Sequence, residues 1–349
     1  MHSGVFHTSY EADMGLRPMP AQRVRLALFV AAVLIFPFFA SNYGLNLANQ
    51  VAIATVGAIG LNILTGYTGQ ISLGQGAFMA VGAYSAGLLT LRLGLPWGVS
   101  IGLACVITAA VGVFFGLPSL RLKGLYLAIA TLAAQVVVEW IITHWTALTG
   151  GTEALVIPAP ELMGERLNTD FRFYWVGVTA AAGTALFAAN LFRSRVGRAF
   201  VAIRDQDIAA SAMGVNVFHY KLLAFATSSF FVGLSGALLA YYRTIVTWER
   251  FTLETSILYL AMIIVGGLGT IVGSFLGAVF LTLLPVLIGS AGQALQDAAP
   301  GVAGLVPHIQ QAAFGLVIIV FLIFEPRGLA KIWRNVKDYF HVWPFAYRR

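Results

Sequence analysis

Residues 64–77 read LTGYTGQISLGQGA, a glycine- and polar-rich break between two apolar runs at 45–64 and 77–93. Non-helical backbone at membrane depth is tolerated only where it is buried in protein or lines water. Interruptions of this kind point to the solute region of transporters. The same stretch also fits a plain cytoplasmic turn between two helices. Gly69, Gln70, Ser72 and Gln75 within it are the candidate pathway residues. Asn46, Asn49, Gln50 and Asn62, on the run before it, are uncharged polar side chains of the type that stitch membrane helices together.

Working outward, eight further apolar runs appear, at 25–40, 97–117, 125–142, 173–192, 222–242, 253–268, 271–288 and 309–324. A helix that crosses a bilayer takes about 20 mostly apolar residues. The fold class is therefore all-α, a polytopic helical membrane protein of about ten spans with a glycine-rich break after the second. The first, eighth and tenth runs are short. Only Gly269 and Thr270 separate the eighth from the ninth, so these two also fit a re-entrant or broken pair. The first run follows a long mixed segment and reads as an uncleaved helix rather than a signal peptide.

Composition agrees. Of 349 residues, 59% are hydrophobic and 10% charged, against roughly 45–50% and about 25% in soluble domains. A soluble enzyme, a disordered chain and a disulfide-stapled secreted domain are excluded. Cys105 is the single cysteine, which leaves no intrachain disulfide and no cysteine-based metal site. The net charge of +7 reads as the positive-inside rule acting beside lipid headgroups, not as nucleic-acid binding. With a cytoplasmic N-terminus and ten spans, only Arg92, Arg166, Arg172, Arg243 and Arg250 of the 21 basic residues fall outside. Arg17, Arg121, Lys123, Arg327, Arg348 and Arg349 are among those inside. The expected division is a cytoplasmic segment 1–24, one membrane domain 25–326 and a basic cytoplasmic tail 327–349.

The chain has no G-x-x-x-x-G-K-[ST] phosphate loop, no H-E-x-x-H and no G-x-S-x-G. Glu139 is the one acidic residue well inside an expected span; its carboxylate either reaches the outer interface or lines a pathway. A proton-coupled transporter usually carries more such groups. Keeping ionisable chemistry out of the membrane core suits a chain moved by a partner's ATP.

The basic segment 193–220 carries the other candidate site. Residues 205–213 read as a two-turn helix. Asp205 or Asp207 can cap its start, alanines fill its body, and Gly214 can end it in the left-handed conformation. Ala209, Ala210, Ala212 and Met213 offer a small apolar face for a cytoplasmic partner; a basic loop lying on headgroups is the alternative. Residues 265–277, VGGLGTIVGSFLG, echo the first break, with Gly269, Gly273 and Gly277 at the four-residue spacing of close helix packing.

Taken together, GLNILTGYTGQISLGQGAF (60–78), LRLKGLYLAIATL (120–132), LTGG (148–151), AIRD through AMG (202–214), GGLGT (266–270) and FEPRGL (324–329) make the chain resemble the LivM-type permease subunits of bacterial branched-chain amino acid ABC importers. The resemblance implies an inner-membrane subunit with a LivH-like second permease, LivG-like and LivF-like ATPases and a periplasmic substrate-binding protein. ATP would be used by the partners, with no cofactor in this chain. The 204–214 loop would be the ATPase-coupling loop, carried by Arg204, Asp205, Asp207, Ala209, Ala210, Met213 and Gly214. It is similar to the EAA-x-x-x-G pattern of ABC importers, with Ala209, Ala210 and Gly214 in register. Ile208 stands where the pattern has glutamate, with Asp207 one residue earlier, which removes the polar contact from that position but not the docking.

Overall fold

The structure, a computed structural model, describes residues 20–119, 122, 124–162, 165–298, 306–324 and 328–342. Arg17, Arg121, Lys123, Arg327, Arg348 and Arg349 lie outside these residues, as do most of the 1–24 segment and parts of the 120–132 and 324–329 motifs. The chain forms two compact units, Met1–Asn46 and Leu47–Arg349.

In the first unit, α1 (Pro20–Phe39) is followed by the start of α2 (Asn42–Asn62). Ser41 caps α2, its Oγ accepting from the Gly44 amide at 3.2 Å. In the second unit α2 continues into a π-helical turn, Ile63–Tyr67. Then come α3 (Gln75–Leu93), α4 (Trp97–Ser119), α5 (Leu125–His144), the single turn α6 (Thr146–Thr149) and α7 (Asp170–Arg193). Two short helices, α8 (Arg195–Asp205) and α9 (Asp207–Ala212), lead to the long α10 (Val217–Arg243). The chain closes with α11 (Leu253–Gly266), α12 (Ile271–Ala298), α13 (Val306–Phe324) and α14 (Leu329–Val342).

Among the described residues seven helices are long and apolar enough to cross a membrane. They correspond to the second to seventh and the ninth expected spans. The described parts of the first and tenth runs form the shorter apolar helices Leu26–Phe39 and Gln311–Phe321. The eighth run is α11, whose 14 residues extend only about 21 Å. Four two-residue strands modify the all-α expectation: β1 (Leu155–Val156), β2 (Glu161–Leu162), β3 (Glu165–Arg166) and β4 (Ile245–Val246). The antiparallel pair β1–β4 sets Leu155 opposite Val246, and β2–β3 sets Glu161 opposite Arg166.

Helix α10 lies at the centre of the second unit. Lipid tails are as apolar as leucine, so helices here gain by close packing of small residues rather than by escaping water. The Gly82 and Gly236 crossing joins α3 to α10: a Cβ on Gly236 would strike the Met79 carbonyl. Gly60 brings α2 against the α10 backbone at Ser228 and Val232, and Gly112 brings α4 against Ser229. The 265–277 glycines do the same for the α11–α12 hairpin, where Gly277 faces the Met262 carbonyl.

The span ends sort onto two sides. On one, Arg92 donates from Nη2 to the Ala147 and Leu148 carbonyls, Trp97 Nε1 donates to the Glu161 carbonyl at 2.9 Å, and β1 pairs with β4. On the other, Arg204 of α8 meets Gly66, and Asn62 meets Thr270. These are called the Arg92 side and the Arg204 side below.

Candidate functional site

Two polar clusters of the second unit involve the candidate residues: a knot on the Arg204 side, and a junction halfway along α5.

The knot is built on the π turn. The helix ends on the π turn 63–67, so the Gly66 carbonyl, in its last turn, has no amide ahead of it, and π turns recur at functional positions. Arg204 Nη1 donates to that carbonyl at 3.2 Å. Its other face holds Asp205, with Nε and Nη2 at 3.0 and 2.9 Å from Oδ1. Gly69, at φ +70°, lets the chain turn against the Arg204 stem. Asn62 closes the knot. Its Nδ2 donates to the Thr270 carbonyl (2.9 Å) and Ser274 Oγ (2.7 Å), and its Oδ1 accepts from the Gly269 amide (2.9 Å). A Cβ on Gly66 would collide with Asn62 Oδ1 and the Gly269 amide, so only glycine admits the α11–α12 turn here.

The 204–214 loop departs from its expected form. The single helix over 205–213 is two, because Gln206 takes extended backbone between α8 and α9. The 195–205 stretch makes a helix of its own. Ser194 caps it through Val196 and Gly197, and Gly197, Ala199, Phe200 and Ile203 are buried. Asp205 therefore ends α8 and pairs with Arg204 instead of capping α9. Asp207 lies in the first turn of α9, 3.6 Å from Lys221 Nζ. The amide of Val215 bonds the Ala210 carbonyl and Gly214 has φ +85°, a Schellman-type ending. Ala210 is buried, whereas Ala209, Ala212 and Gly214 are exposed, Ile208 is 74% exposed and Met213 85%. The outward apolar surface is thus centred on Ile208 and Met213.

The expected pathway residues of the break, apart from Gly69, are buried and bonded. Gln70 Nε2 donates to Thr68 Oγ1 (2.9 Å), Ser72 Oγ accepts from the Gly74 amide (3.3 Å), and Gln75 Nε2 donates to the Gly57 carbonyl (3.1 Å). The extended segment 69–74 climbs along α5, where Thr131 Oγ1 receives the Leu73 amide at 2.9 Å.

It ends at the junction. Gln135 is the eleventh of the 20 residues of α5, about 15 Å from either end. Its Oε1 accepts from the Ala77 amide at 2.6 Å and from Ser256 Oγ at 3.2 Å; its Nε2 donates to the Phe251 carbonyl at 2.6 Å. Ser256 Oγ in turn accepts from the Gly76 amide at 2.8 Å. The first amides of a helix have no partner within it, and those of α3 are met by side chains from α5 and α11. Both α3 and α11 therefore begin level with Gln135, the middle of α5. Thr244, a non-glycine residue at φ +57°, turns the chain out of α10. The segment 244–252 then descends from the Arg92 side to Phe251. Glu139, one turn beyond Gln135, is half-buried, and its carboxylate has no hydrogen-bond or ion-pair partner among the described residues.

Gln135, Thr131 and Ser256 were not picked out from sequence. An amide at the centre of the apolar run 125–142 was the available signal. Arg250 belongs to the 3-10 turn Trp248–Phe251 at the end of the descending segment. Glu254 lies in the first turn of α11, one residue before Thr255, whose Oγ1 donates to the Arg250 carbonyl at 2.8 Å.

A family model for the permease component of branched-chain amino acid transport systems matches residues 43–324. The chain is 30% identical to the high-affinity branched-chain amino acid transport system permease protein LivM of Salmonella typhimurium, over 89% of this chain and 76% of that protein. It is 29% identical to the Escherichia coli K12 protein of the same name, with the same coverage. Identity is 25% to the probable branched-chain amino acid transport permease protein LivM of Methanocaldococcus jannaschii, over 78% of this chain and 88% of that one. No solved structure matches the chain.

Proposed function

This chain belongs to the permease-component family of branched-chain amino acid transport systems, and on that premise we propose that it is the membrane-spanning subunit of an ATP-driven importer. It passes a small amino acid-like solute, branched-chain amino acids first among them, inward across the inner membrane. A LivH-like second permease completes the path, LivG-like and LivF-like subunits hydrolyse ATP, and a periplasmic binding protein delivers the solute. The chain itself needs no cofactor.

The observation that carries this reading is the α8–α9 loop. It holds Ile208 and Met213 outward, while Arg204, a few residues earlier, bonds the Gly66 carbonyl of the π turn. A partner that pushes on α9 through its apolar face thereby pulls on the break in α2. Motion of the ATPases reaches the spans through one guanidinium and the Asn62 clamp behind it.

The reading takes the Arg204 side as cytoplasmic and both termini with it, because the basic residues crowd there. It takes ten crossings: the seven full-length helices, α1, α13, and α11 together with the segment that descends to meet it. The membrane domain is 25–326, with cytoplasmic segments before and after.

The test is uptake in proteoliposomes. The chain purified with its permease, ATPase and binding-protein partners is expected to accumulate leucine only when ATP is inside the compartment facing α9. Uptake by this chain alone, driven by an ion gradient, overturns the reading.

A further inference from the structure

Arg250 and Glu254 bracket the turn where the descending segment becomes α11. Phe251, between them, gives its carbonyl to Gln135 at 2.6 Å, and Ser256, two residues past Glu254, donates to the same amide group at 3.2 Å. Both charges therefore lie at the depth of Gln135, near the middle of the bilayer. The turn is pinned: the Arg250 carbonyl accepts from Thr255 Oγ1 at 2.8 Å.

Both side chains are exposed on the isolated chain. Neither charged end has a hydrogen-bond or ion-pair partner among the described residues. At a separation of four residues they could pair with each other, and they do not. A bare charge facing hydrocarbon at this depth is strongly disfavoured, and intramembrane ionisable groups face protein or a water-filled cavity. This face of α11 is therefore not a lipid face. What closes on it must answer a guanidinium and a carboxylate together. Leu253 (37% exposed) and Ile257 (49% exposed) lie beside them and offer apolar contact.

We propose that Arg250 and Glu254 line the solute path at mid-depth and receive a zwitterion, the guanidinium on its carboxylate and the carboxylate on its ammonium, with Leu253 and Ile257 against an apolar side chain. The assignment rests on the reading of the solute as an amino acid. Glu249, also exposed beside Arg250, makes the net charge of the turn negative and keeps the ammonium end welcome.

The experiment uses the complete importer in proteoliposomes, with Cys105 replaced by alanine. Arg250→Gln and Glu254→Gln are each expected to lower leucine uptake about tenfold or more, the scale of one lost charge-assisted hydrogen bond, in complexes that assemble with all their subunits. Glu254→Cys is expected to react with a charged, membrane-impermeant thiol reagent. Uptake within twofold of the parent complex in both glutamine variants overturns the proposal. So does an unreactive Glu254→Cys in a complex that still carries leucine. If the parent complex carries no amino acid while Glu254→Cys is labelled, the amino acid reading fails and the mid-depth path stands.

Discussion

Gln135 does at one residue what a run of helix caps does in a soluble protein. Three hydrogen bonds from a single amide join α3, α5 and the start of α11. In hydrocarbon no water replaces a lost partner. Gln135→Leu leaves the Ala77 amide and the Phe251 carbonyl unmet, each costing about 1–3 kcal/mol. The expected loss is about 2–5 kcal/mol of unfolding free energy in detergent micelles, measured by denaturant titration; a loss below about 0.5 kcal/mol would show the junction to be incidental. From sequence, an amide in an apolar run is one polar residue among several. Its partners lie more than 50 residues away on each side, and spacing along a helix carries no information about them. Gln70, Ser72 and Gln75 illustrate the converse. They stand out as polar in an apolar chain, yet Ser72, Gln75 and the Gln70 Nε2 bond within the protein, and Gln70 Oε1 is buried without a partner among the described residues.

At the scale of elements, the full-length spans are legible because a run of about 20 apolar residues has few alternatives. Helix α11 is not, because a hydropathy window counts residues and says nothing of depth. Its run begins where α3 begins, level with Gln135, so nothing in the sequence marks Arg250 and Glu254 as neighbours of the junction. The docking loop was legible as a loop with a short helix, but six residues give too little periodicity to orient Ala210. Since Ala210 faces inward, substituting it probes folding and not docking. Ile208→Asp or Met213→Asp is expected to abolish co-purification of the ATPases while leaving the chain folded. Arg204→Lys is expected to do the opposite. Lysine's single ammonium lacks the planar fork that holds Gly66 and Asp205 at once, so the ATPases stay bound while about ten times more ATP is hydrolysed per leucine carried, the scale of one charge-assisted bond. A parental ATP-to-leucine ratio in Arg204→Lys rules out transmission through that guanidinium.

For the whole molecule, the two sides are tied by different means. The Arg92 side is joined by backbone pairing of β1 with β4 and by carbonyls, the Arg204 side by side chains meeting glycines. The second arrangement suits movement, because a side-chain bond can break without unravelling a strand. Sidedness is measurable because Cys105 is the single cysteine and is buried. In a Cys105→Ala background, Thr152→Cys is expected to be labelled from the periplasm and Ser211→Cys only from the cytoplasm. The reverse pattern inverts the charge-based orientation.

Helix α11 also has a consequence for how the chain is made. Membrane insertion admits segments of about 20 apolar residues as they emerge. A 14-residue helix with Glu254 in its first turn is a poor client for that process. Its anchor, Gln135, is synthesised 116 residues before Phe251, and its packing partner α12 follows it. So α11 enters late, drawn in between a finished first half and the arriving α12. Until α12 has emerged in its turn, α11 has only half of its packing surface to dock on.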